Sequence, residues 1–333
     1  MSTPVVRNKV ASLADVAQLA GVSSQTVSRV VRGSTAVAPD TRQRVLAAVE
    51  RLGYQPNLAA RSLSQRRTGV VHLINATPLF HGHARTYVEV VRALALLGYH
   101  TSTAMVPTTG PHLLNRVLPL GVDGVVVLGG HSGSGEWAAL AASRVPVVFV
   151  GHAQMLPDDV SSVAVNQVSG AREATTYLLE TGCRQLLHLC GPPDWVDARK
   201  RRDGFLAVCA ERGVDYLKLS ASSWDASVGY RLAEEIPPQI DGVFASNDQL
   251  ALGVMRRLHE FGRRIPEDVS VIGFDDADGA DCYWPPLTTV RQPLRAIAQA
   301  AVTQLASLIS GQPAQITVFE PQLVVRASTK GLS

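Results

Sequence analysis

The sequence predicts a small all-α helix-turn-helix head followed by a larger α/β body of two lobes, with parallel sheets that carry helices on both faces. The first 67 residues show helical periodicity broken by glycines, and the rest alternates short apolar runs with helical patterns. Residues 1–67 hold ten Lys or Arg against three Asp or Glu, whereas the remainder holds 21 against 25. A basic head on an acidic body indicates binding to a polyanion, although a solvated surface has the same composition.

The composition is typical of a globular protein with a large core. The chain has 333 residues, 46% hydrophobic and 18% charged, enough for two or three domains. Its apolar runs are too short to cross a membrane, and its N-terminus lacks the apolar core of a signal peptide. We therefore expect a cytoplasmic protein with no membrane partner. The four cysteines lack metal-ligand spacing, so we expect reduced thiols, no metal and no cofactor.

The head is predicted to contain three helices. The first begins at a capping box, Ser12 followed three residues later by Asp15, and ends before Gly21. Ser23 can cap a second helix after so short a turn, which makes a helix-turn-helix. A third helix is predicted to end at Gly53. Its inward residues are predicted to be Val45, Leu46, Val49 and Leu52.

The second helix has an apolar and a polar face. Val27, Val30 and Val31 recur at helical spacing and are predicted to pack on the first helix. The polar residues on the other side are Ser24, Gln25, Ser28 and Arg29. Glutamine pairs with adenine edges and arginine with guanine edges in the major groove. These four residues are the candidates for reading double-stranded DNA.

The segment 57–67 follows the head. Pro56 and Asn57 can begin a helix there, but one too short to be stable by itself in water. Leu63 stands close to a pair of arginines, an arrangement that suits an apolar wedge in the minor groove flanked by phosphate contacts. The alternative is a plain linker in which Leu63 packs on the next domain.

The head resembles that of the LacI/GalR family of transcription regulators. The likeness rests on DVAxxAGVSxxTVSRV from Asp15 and on LGYxPNxxARSL ending at Leu63. It implies that hinge helices from two chains pair in the minor groove, with Leu63 between base pairs and with Asn57 and Ala60 at the DNA. It also implies a homodimer on a pseudo-palindromic operator, because two-fold protein symmetry requires symmetric half-sites.

The body alternates predicted strands and helices, a pattern typical of parallel sheets covered on both faces. The predicted strands include 70–74, 124–128, 147–150, 186–189, 243–245 and 269–274. The predicted helices include 84–98, 168–181, 198–212, 226–236 and 247–262. The predicted domains are a helix-turn-helix domain (1–56), a hinge helix (57–67), a first lobe (68–161 and 291–319) and a second lobe (162–290 and 320–330). Ligands are expected between the lobes, at the carboxyl ends of the strands.

Polar and aromatic residues follow several of these strands. Asn247 and Asp275 each follow a strand, Arg201 comes after the loop that contains Trp195, and Trp224 follows another strand. An amide, a carboxylate, a guanidinium and an indole in one cleft suit a polyhydroxyl ligand. Alternatives stay open: Asn247 and Asp275 as helix caps, the arginines as a solvated face and Trp224 as core.

The body resembles the same family in VSVIGFDD, PPLTTVRQ, SNDQLALGVM and DARKRRDGF. The resemblance implies periplasmic-binding-protein-like lobes around a small-molecule effector, most simply a sugar. It assigns sugar contacts to Arg201, Asn247 and Asp275, an aromatic wall to Trp224, and effector contacts to the loop 79–83. The predicted effector-binding residues are Arg201, Trp224, Asn247, Asp275, Leu79, His81 and Trp195.

The sequence departs from the family pattern around this pocket. Gly151 and His152 stand where an acidic residue is usual, Asn166 and Gln167 replace Asp-Asn, and the loop FHGHA at 80–84 is unusual. The effector therefore stays open between a sugar and a purine or nucleoside, and between an inducer and a corepressor. The chain ends in VVRASTKGLS without the leucine heptads that form tetramers in the family, so we expect a dimer.

Other classes of function fit less well. Residues 130–134, GHSGS, resemble the nucleophile elbow GxSxG, except that the last position is serine. The sequence also contains no P-loop motif, so we do not expect an enzyme. A periplasmic sugar receptor would need a signal peptide, and an architectural DNA-binding protein would need no ligand cleft. The expected function is a transcription repressor of sugar-utilisation genes at the bacterial nucleoid, released from its operator by an effector.

Overall fold

The computed structural model describes residues 11–31, 34, 36–54, 67–105, 121–129, 140, 143–151 and 160–331. The chain divides into two compact units, residues 1–68 and 69–333. The predicted hinge contacts Asn57, Ala60 and Leu63 lie outside the described residues, as does the sequence GHSGS. Among the residues described, none of the helices is both long enough and apolar enough to cross a membrane.

The helices of the head are α1 Leu13–Ala20, α2 Ser24–Val31 and α3 Pro39–Leu52. The predicted capping box begins α1, because the Ser12 hydroxyl accepts from the Asp15 N–H and the Asp15 carboxylate accepts from the Ser12 N–H. The helix ends at Gly21, whose φ of 63° is left-handed. The Ser23 hydroxyl accepts from the Thr26 N–H at 3.2 Å and caps the start of α2.

The three helices enclose the apolar core of the head. Val27 and Val45 are completely buried in it. The predicted inward face of α3 is wrong at Leu46 and Leu52, which are 49% and 36% exposed. One helical step of about 100° turns Leu46 away from the face of Val45. At the end of the helix, Tyr54 is buried in the core in place of Leu52.

The body begins with alternating strands and helices. Its elements through the first half are β1 Val70–Asn75, α4 His81–Leu96, β2 His100–Met105, β3 Gly124–Leu128, β4 Val147–Val150, β5 Ser161–Val165, α5 Gln167–Glu180, β6 Leu186–Cys190 and α6 Val196–Arg212. Those of the second half are β7 Tyr216–Ser220, α7 Ala226–Leu232, β8 Gly242–Ala245, α8 Asp248–Glu260, β9 Ser270–Asp275, β10 Thr288–Arg291, α9 Leu294–Ile309, β11 Ile316–Phe319 and β12 Gln322–Val324. Short 3₁₀ turns follow α7 and β9.

The strands form two six-stranded sheets, one in each lobe. The first sheet has the order β11-β5-β4-β3-β1-β2 and is parallel throughout. The second has the order β12-β10-β9-β8-β6-β7 and is parallel except for the pair β10 and β12. Every residue of β3 and β6 is buried, because both faces of these central strands are covered. The predicted two-lobe architecture is confirmed.

Within the described ranges, the chain crosses between the two sheets three times. The crossings are Asn166, residues 292–293 and residues 320–321. Because β5 belongs to the first sheet, the predicted start of the second lobe at residue 162 lies inside a strand. Arg291 likewise ends β10 in the second sheet and was predicted in the first lobe. An apolar run marks a strand, but strand pairing across the fold decides which sheet the strand joins.

The four cysteines are unpaired, and all but Cys282 are buried. Burial raises the pKa of the Cys190 and Cys209 thiols to about 11. These two thiols are therefore protonated at neutral pH and pack as small apolar groups. Within the described ranges, no group of three or more His, Cys, Asp or Glu is placed to hold a metal ion.

Candidate functional site

The strand order of both sheets places a ligand site between the lobes. The order reverses between β1 and β3 in the first sheet and between β6 and β8 in the second. In open parallel sheets, ligands bind beyond the carboxyl ends of the strands on either side of such a reversal. The loops that follow these four strands contribute Phe80, Gly129, Trp195 and Asn247 to one cavity.

Five of the seven predicted effector residues line this cavity. They are Trp195, Arg201, Trp224, Asn247 and Asp275. Their lobe supplies the charged and amide groups, together with Asp197. The other lobe supplies smaller or less polar groups, namely Phe80, Gly82, His83, Thr86, Gly129 and Gly151.

Arg201 and Asp275 belong to a closed ring of polar contacts with two glutamines. Arg201 Nε donates to Gln167 Oε1 at 2.8 Å, and Gln167 Nε2 donates to Gln292 Oε1 at 3.1 Å. Gln292 Nε2 donates to Asp275 Oδ1 at 2.7 Å. Arg201 Nη2 lies 3.6 Å from the same Asp275 oxygen and closes the ring. Because both charged side chains are more than nine-tenths buried, each depends on these partners.

Arg201 is also fixed from its two faces. Its guanidinium carbon lies 3.7 Å from the ring centroid of Phe274 and 5.7 Å from that of Trp224. One guanidinium nitrogen donates to the Ser246 carbonyl oxygen. Arg202, by contrast, pairs with a neighbouring carboxylate at the surface, so the solvated-face alternative holds for it. Only one arginine of the cluster thus reaches the cavity.

The Asp275 carboxyl has a raised pKa, and its backbone has a strained conformation. Burial raises the pKa of its carboxyl, against the opposing effects of the Arg201 and His81 charges and the Gln292 hydrogen bond. Its φ is 117°, a conformation that is strained for a residue with a Cβ and that occurs preferentially at ligand sites. The helix-cap alternative is wrong for Asp275, because the residue ends β9.

Asn247 combines the two roles that the sequence left open. Its Oδ1 accepts from the Leu250 N–H at 2.8 Å and caps α8, which confirms the cap alternative. Its Nδ2 donates to the Trp224 carbonyl oxygen at 3.1 Å. The same side chain lines the cavity, so the cap holds a ligand-facing amide in place.

Asp248 is a buried residue, next to Asn247, that helps to hold the cavity residues in place. Its carboxyl is buried and accepts from the Ala277 N–H at 2.6 Å and from the Thr289 hydroxyl. Burial, reinforced by the charge of Asp275, raises its pKa to about 8. These bonds tie the start of α8 to β10 and to the loop after β9, and so help to place Asn247 and Asp275.

Aromatic rings from both lobes form one wall of the cavity. Trp195 and Trp224 meet edge to face, with ring centroids 5.6 Å apart. Phe80 and His83 lie at 5.7 and 5.3 Å from Trp195. A Cβ at Gly191 would lie 2.3 Å from the Trp224 ring, so only glycine allows the indole this position. Trp224 belongs to the hydrophobic core, which was the alternative that the sequence left open, and it also lines the cavity.

Two predicted effector contacts do not line the cavity, although the charge of one, His81, acts on Asp275. Leu79 is 40% exposed, and neither it nor His81 is among the described lining residues. The predicted loop is in fact the start of α4 at His81, so side chains three residues apart share a face. That face presents Phe80, His83 and Thr86. Their three-residue spacing can be read from the sequence once the start of the helix is known.

Sequence reasoning missed several lining residues. Gln292 and Asp197 had no predicted role, and Gln167 was noted only as a departure from the family pattern. Gln292 directly follows β10, and Gln167 follows β5 after the single residue Asn166. Their position beyond the carboxyl ends of strands was the available signal.

The polar face of α2 is open to solvent, as predicted. Ser24, Gln25 and Arg29 are exposed and Ser28 is half-buried, while Val27 and Val30 face the core. Gln25 and Arg29 are one helical turn apart, so both can reach one groove of a duplex.

Two family models match the chain. Residues 12–57 match the model for bacterial regulatory proteins of the lacI family, and residues 175–329 match a periplasmic binding protein-like domain. The chain is 35% identical to the HTH-type transcriptional regulator CelR of Thermobifida fusca, over 97% of this chain and 99% of that protein.

Solved structures agree with these matches. The lac repressor dimer bound to operator and the anti-inducer ONPF superposes with a TM-score of 0.85 at 28% identity, covering 97% of this chain and 100% of that one. The CelR–cellobiose complex superposes with a TM-score of 0.71 at 32% identity, covering 96% and 99%. From the helix-turn-helix head, the two-lobe body and this identity over nearly the whole length, the chain belongs to the lacI family of DNA-binding bacterial transcription regulators.

Proposed function

We propose that the protein represses sugar-utilisation genes at the bacterial nucleoid and is released from its operator by a sugar bound between the two lobes. The observation that carries this proposal is the polar ring of Arg201, Gln167, Gln292 and Asp275 beside the aromatic wall. The CelR–cellobiose complex, a relative with a bound sugar, supports the ligand class.

The chemistry of the ring suits hydroxyl groups. The Asp275 carboxylate accepts from a pair of sugar hydroxyls, Arg201 donates to sugar oxygens, and the amide of Asn247 does both. The faces of Trp224 and Trp195 cover the apolar C–H face of a pyranose ring. All of these groups are held by other protein atoms, so little ordering is needed when the ligand arrives.

The ring also reaches two of the three lobe crossings, and the third is bonded to the first. Gln167 directly follows the crossing at Asn166, and Gln292 lies in the second crossing. Glu320 at the third accepts from Asn166 Nδ2 at 2.9 Å and from the Ser169 hydroxyl. A sugar hydroxyl that replaces the Gln292 contact with Asp275 therefore acts on the segments about which the lobes rotate. Control of DNA binding requires the sugar to bind the two lobe arrangements unequally, typically by about 1–3 kcal/mol.

The DNA-bound species is a homodimer on a pseudo-palindromic operator. The major-groove residues are Ser24, Gln25, Ser28 and Arg29, and the minor-groove residues of segment 57–67 are Asn57, Ala60 and Leu63. On the body, Trp284 is 91% exposed beside a groove that also contains Met255 and Arg263. Aromatic side chains are enriched at protein interfaces, and we assign this one to the second copy.

A purine or nucleoside is the second candidate effector, because the rings of Trp195 and Phe80 could stack on a base. A thermal-shift panel of monosaccharides, disaccharides, purines and nucleosides separates the two. We expect stabilisation by one sugar and its loss in Asp275→Asn, where removing a charged hydrogen-bond acceptor costs about 2 kcal/mol of binding. Asp281→Asn, an exposed control on the same lobe, should respond as the natural protein does.

Three outcomes would refute parts of the proposal. Stabilisation by purines alone would identify the effector as a purine and not a sugar. An equal sugar response in Asp275→Asn would refute the cavity assignment. No stabilisation by any compound, with operator binding intact, would favour an architectural DNA-binding protein without an effector.

A further inference from the structure

The backbone is strained at two consecutive residues where strand β9 ends. Within the described ranges, Asp275 and Asp276 are the only residues other than glycine with a positive φ, at 117° and 52°. A residue with a Cβ adopts such a conformation at a cost in free energy, so it persists only where the surrounding structure enforces it. Asp275 lines the effector cavity, whereas Asp276 is not among the described lining residues. The contacts of Asp276 therefore serve a purpose other than direct binding of the effector.

The Asp276 carboxylate is held by two arginines. Its Oδ2 accepts from Arg291 Nε at 2.6 Å, and its Oδ1 accepts from Arg326 Nη2 at 2.7 Å. The side chains of Asp276 and Arg326 are 12% and 17% exposed, so this pair is largely shielded from solvent. Burial acts to raise the pKa of the Asp276 carboxyl, but the hydrogen bonds and charges of both arginines outweigh burial and lower the pKa. We call these two ion pairs the Asp276 clamp.

Both arginines of the Asp276 clamp are themselves fixed at strand β10. Arg326 Nη1 donates to the Leu287 carbonyl oxygen at 2.8 Å, and the Arg326 N–H donates to the Thr288 hydroxyl at 2.9 Å. Arg291 is the last residue of β10, and it pairs with Asp275 in the parallel ladder. The Asp276 clamp therefore fastens the end of β9 to the next strand of the sheet.

The Asp276 clamp lies beside the polar ring, because Asp275 and Asp276 are neighbours and so are Arg291 and Gln292. Asp276 binds the Arg291 side chain, while Asp275 Oδ1 accepts from Gln292 Nε2 at 2.7 Å. The Asp276 N–H also donates to the Thr289 hydroxyl at 3.3 Å, but this bond between neutral groups is weaker than two charge-assisted bonds. Without the ion pairs the strained backbone can relax, and the Asp275 carboxylate turns with it.

We propose that Asp276 is a positioning residue, which holds the Asp275 carboxylate in its ligand-binding orientation through the ion pairs with Arg291 and Arg326. This inference rests on the proposed function, since it takes Asp275 as an effector contact. A residue that fixes a ligand-binding group in advance raises affinity, because less ordering is needed when the ligand binds. The alternative is a purely structural role, in which the Asp276 clamp stabilises the second lobe without acting on the effector.

Asp276→Asn tests the positioning role, because asparagine accepts a left-handed φ as aspartate does and has nearly the same size, but lacks the charge. Calorimetric titration of the full-length protein uses glucose, galactose, lactose and cellobiose as probes. For the probe that binds the natural protein most tightly, we expect the dissociation constant to rise about fivefold or more in Asp276→Asn. Glu211→Gln is the matched control, since it breaks a bidentate ion pair with Arg172 on the same lobe, and it should change this constant by less than about twofold.

Two further variants separate positioning from stability. Arg326→Gln should also weaken sugar binding, and its combination with Asp276→Asn should bind as Asp276→Asn alone does, because the ion pair is already broken. Arg291→Gln removes a half-exposed side chain at little risk to folding, so its expected loss of about threefold remains measurable even if the variants of the buried pair do not fold. Urea unfolding of each variant supplies the comparison. A lower free energy of unfolding with an unchanged dissociation constant would show a purely structural role and refute the proposal.

Hydrogen exchange of the ligand-free protein provides a readout that needs no sugar. Exchange in segment 274–278 should be roughly tenfold faster in Asp276→Asn, with β6 unchanged. If none of the four sugars binds, faster exchange confined to 274–278 upholds the Asp276 clamp, while the sugar effector of the proposed function fails. Unchanged exchange in 274–278, or equal weakening of sugar binding by Glu211→Gln and Asp276→Asn, would overturn the positioning role.

Discussion

The head and the body present their functional side chains in opposite ways. On the head, Gln25 and Arg29 project from α2 into solvent. In the body, Arg201 and Asp275 are more than nine-tenths buried and already bonded to other protein groups. Duplex DNA stays hydrated and is read by side chains that reach out to it. A small ligand is enclosed, so the groups that meet it must be satisfied before it arrives.

This difference determines how each region tolerates change. Exposed residues of the head can be replaced at small cost to stability, so their substitutions act on DNA recognition alone. Buried residues of the body support the fold and the ligand at once, so their substitutions affect both. The predictions that follow test this separation.

The largest effect is expected at His188, in the core of the second lobe. The ring is fully buried between Phe205 and Phe244, at centroid distances of 5.0 and 4.7 Å, and Nδ1 donates to the Phe244 carbonyl oxygen at 2.9 Å. Burial lowers its pKa to about 4, whereas an unfolded chain takes the proton near pH 6.5. The body therefore loses stability as pH falls from 6.5 towards 4, by about 3 kcal/mol.

Urea unfolding followed by tryptophan fluorescence measures this loss, because all four tryptophans lie in the body. His188→Phe should remove that part of the pH dependence, whatever its effect on stability at pH 7.5. The head contains no histidine, so the protection factors of α1 to α3, which are hydrogen-exchange rates corrected for the intrinsic pH dependence of exchange, should change little across the same range. An unchanged acid sensitivity in His188→Phe would assign the effect to other groups.

A smaller loss is expected from Gly191→Ala. The new methyl group would lie 2.3 Å from the Trp224 ring, and overpacking of this kind costs about 2 kcal/mol. Thermal unfolding of the body should show it, together with weaker sugar binding as the indole moves. Gly331→Ala is the matched control, because its Cβ meets no atom within 4 Å. Equal behaviour of the two variants would contradict the wall assigned to Trp224.

The smallest and most localised effect is expected from Arg29→Ala on the head. Loss of one arginine contact to a guanine edge should reduce discrimination by roughly 1–3 kcal/mol at a single base pair and leave body stability unchanged. Binding to a set of singly substituted operators measures this, with Arg51→Ala on the exposed side of α3 as control. Uniform weakening across all operators would indicate that Arg29 contacts a phosphate and does not read a base.

The same contrast explains what could be predicted from the sequence. The capping box at Ser12, the stop at Gly21 and the polar face of α2 depend on residues within one or two helical turns, so local spacing was sufficient. Asn247 and Asp275 were predictable because strand ends converge in parallel sheets. Gln292 also follows a strand end, but its role was missed because it depends on pairing with Gln167, far away in the chain.

Reciprocal coupling between operator and sugar is the most direct test of the account. The affinity of the full-length dimer for its stabilising sugar should be measured by titration, once in the free protein and once saturated with operator DNA. The account predicts that operator weakens sugar binding by about 5- to 150-fold, and that sugar weakens operator binding by the same factor. Equal sugar affinity in the two states would contradict it, because a ligand that binds both states equally cannot release the DNA.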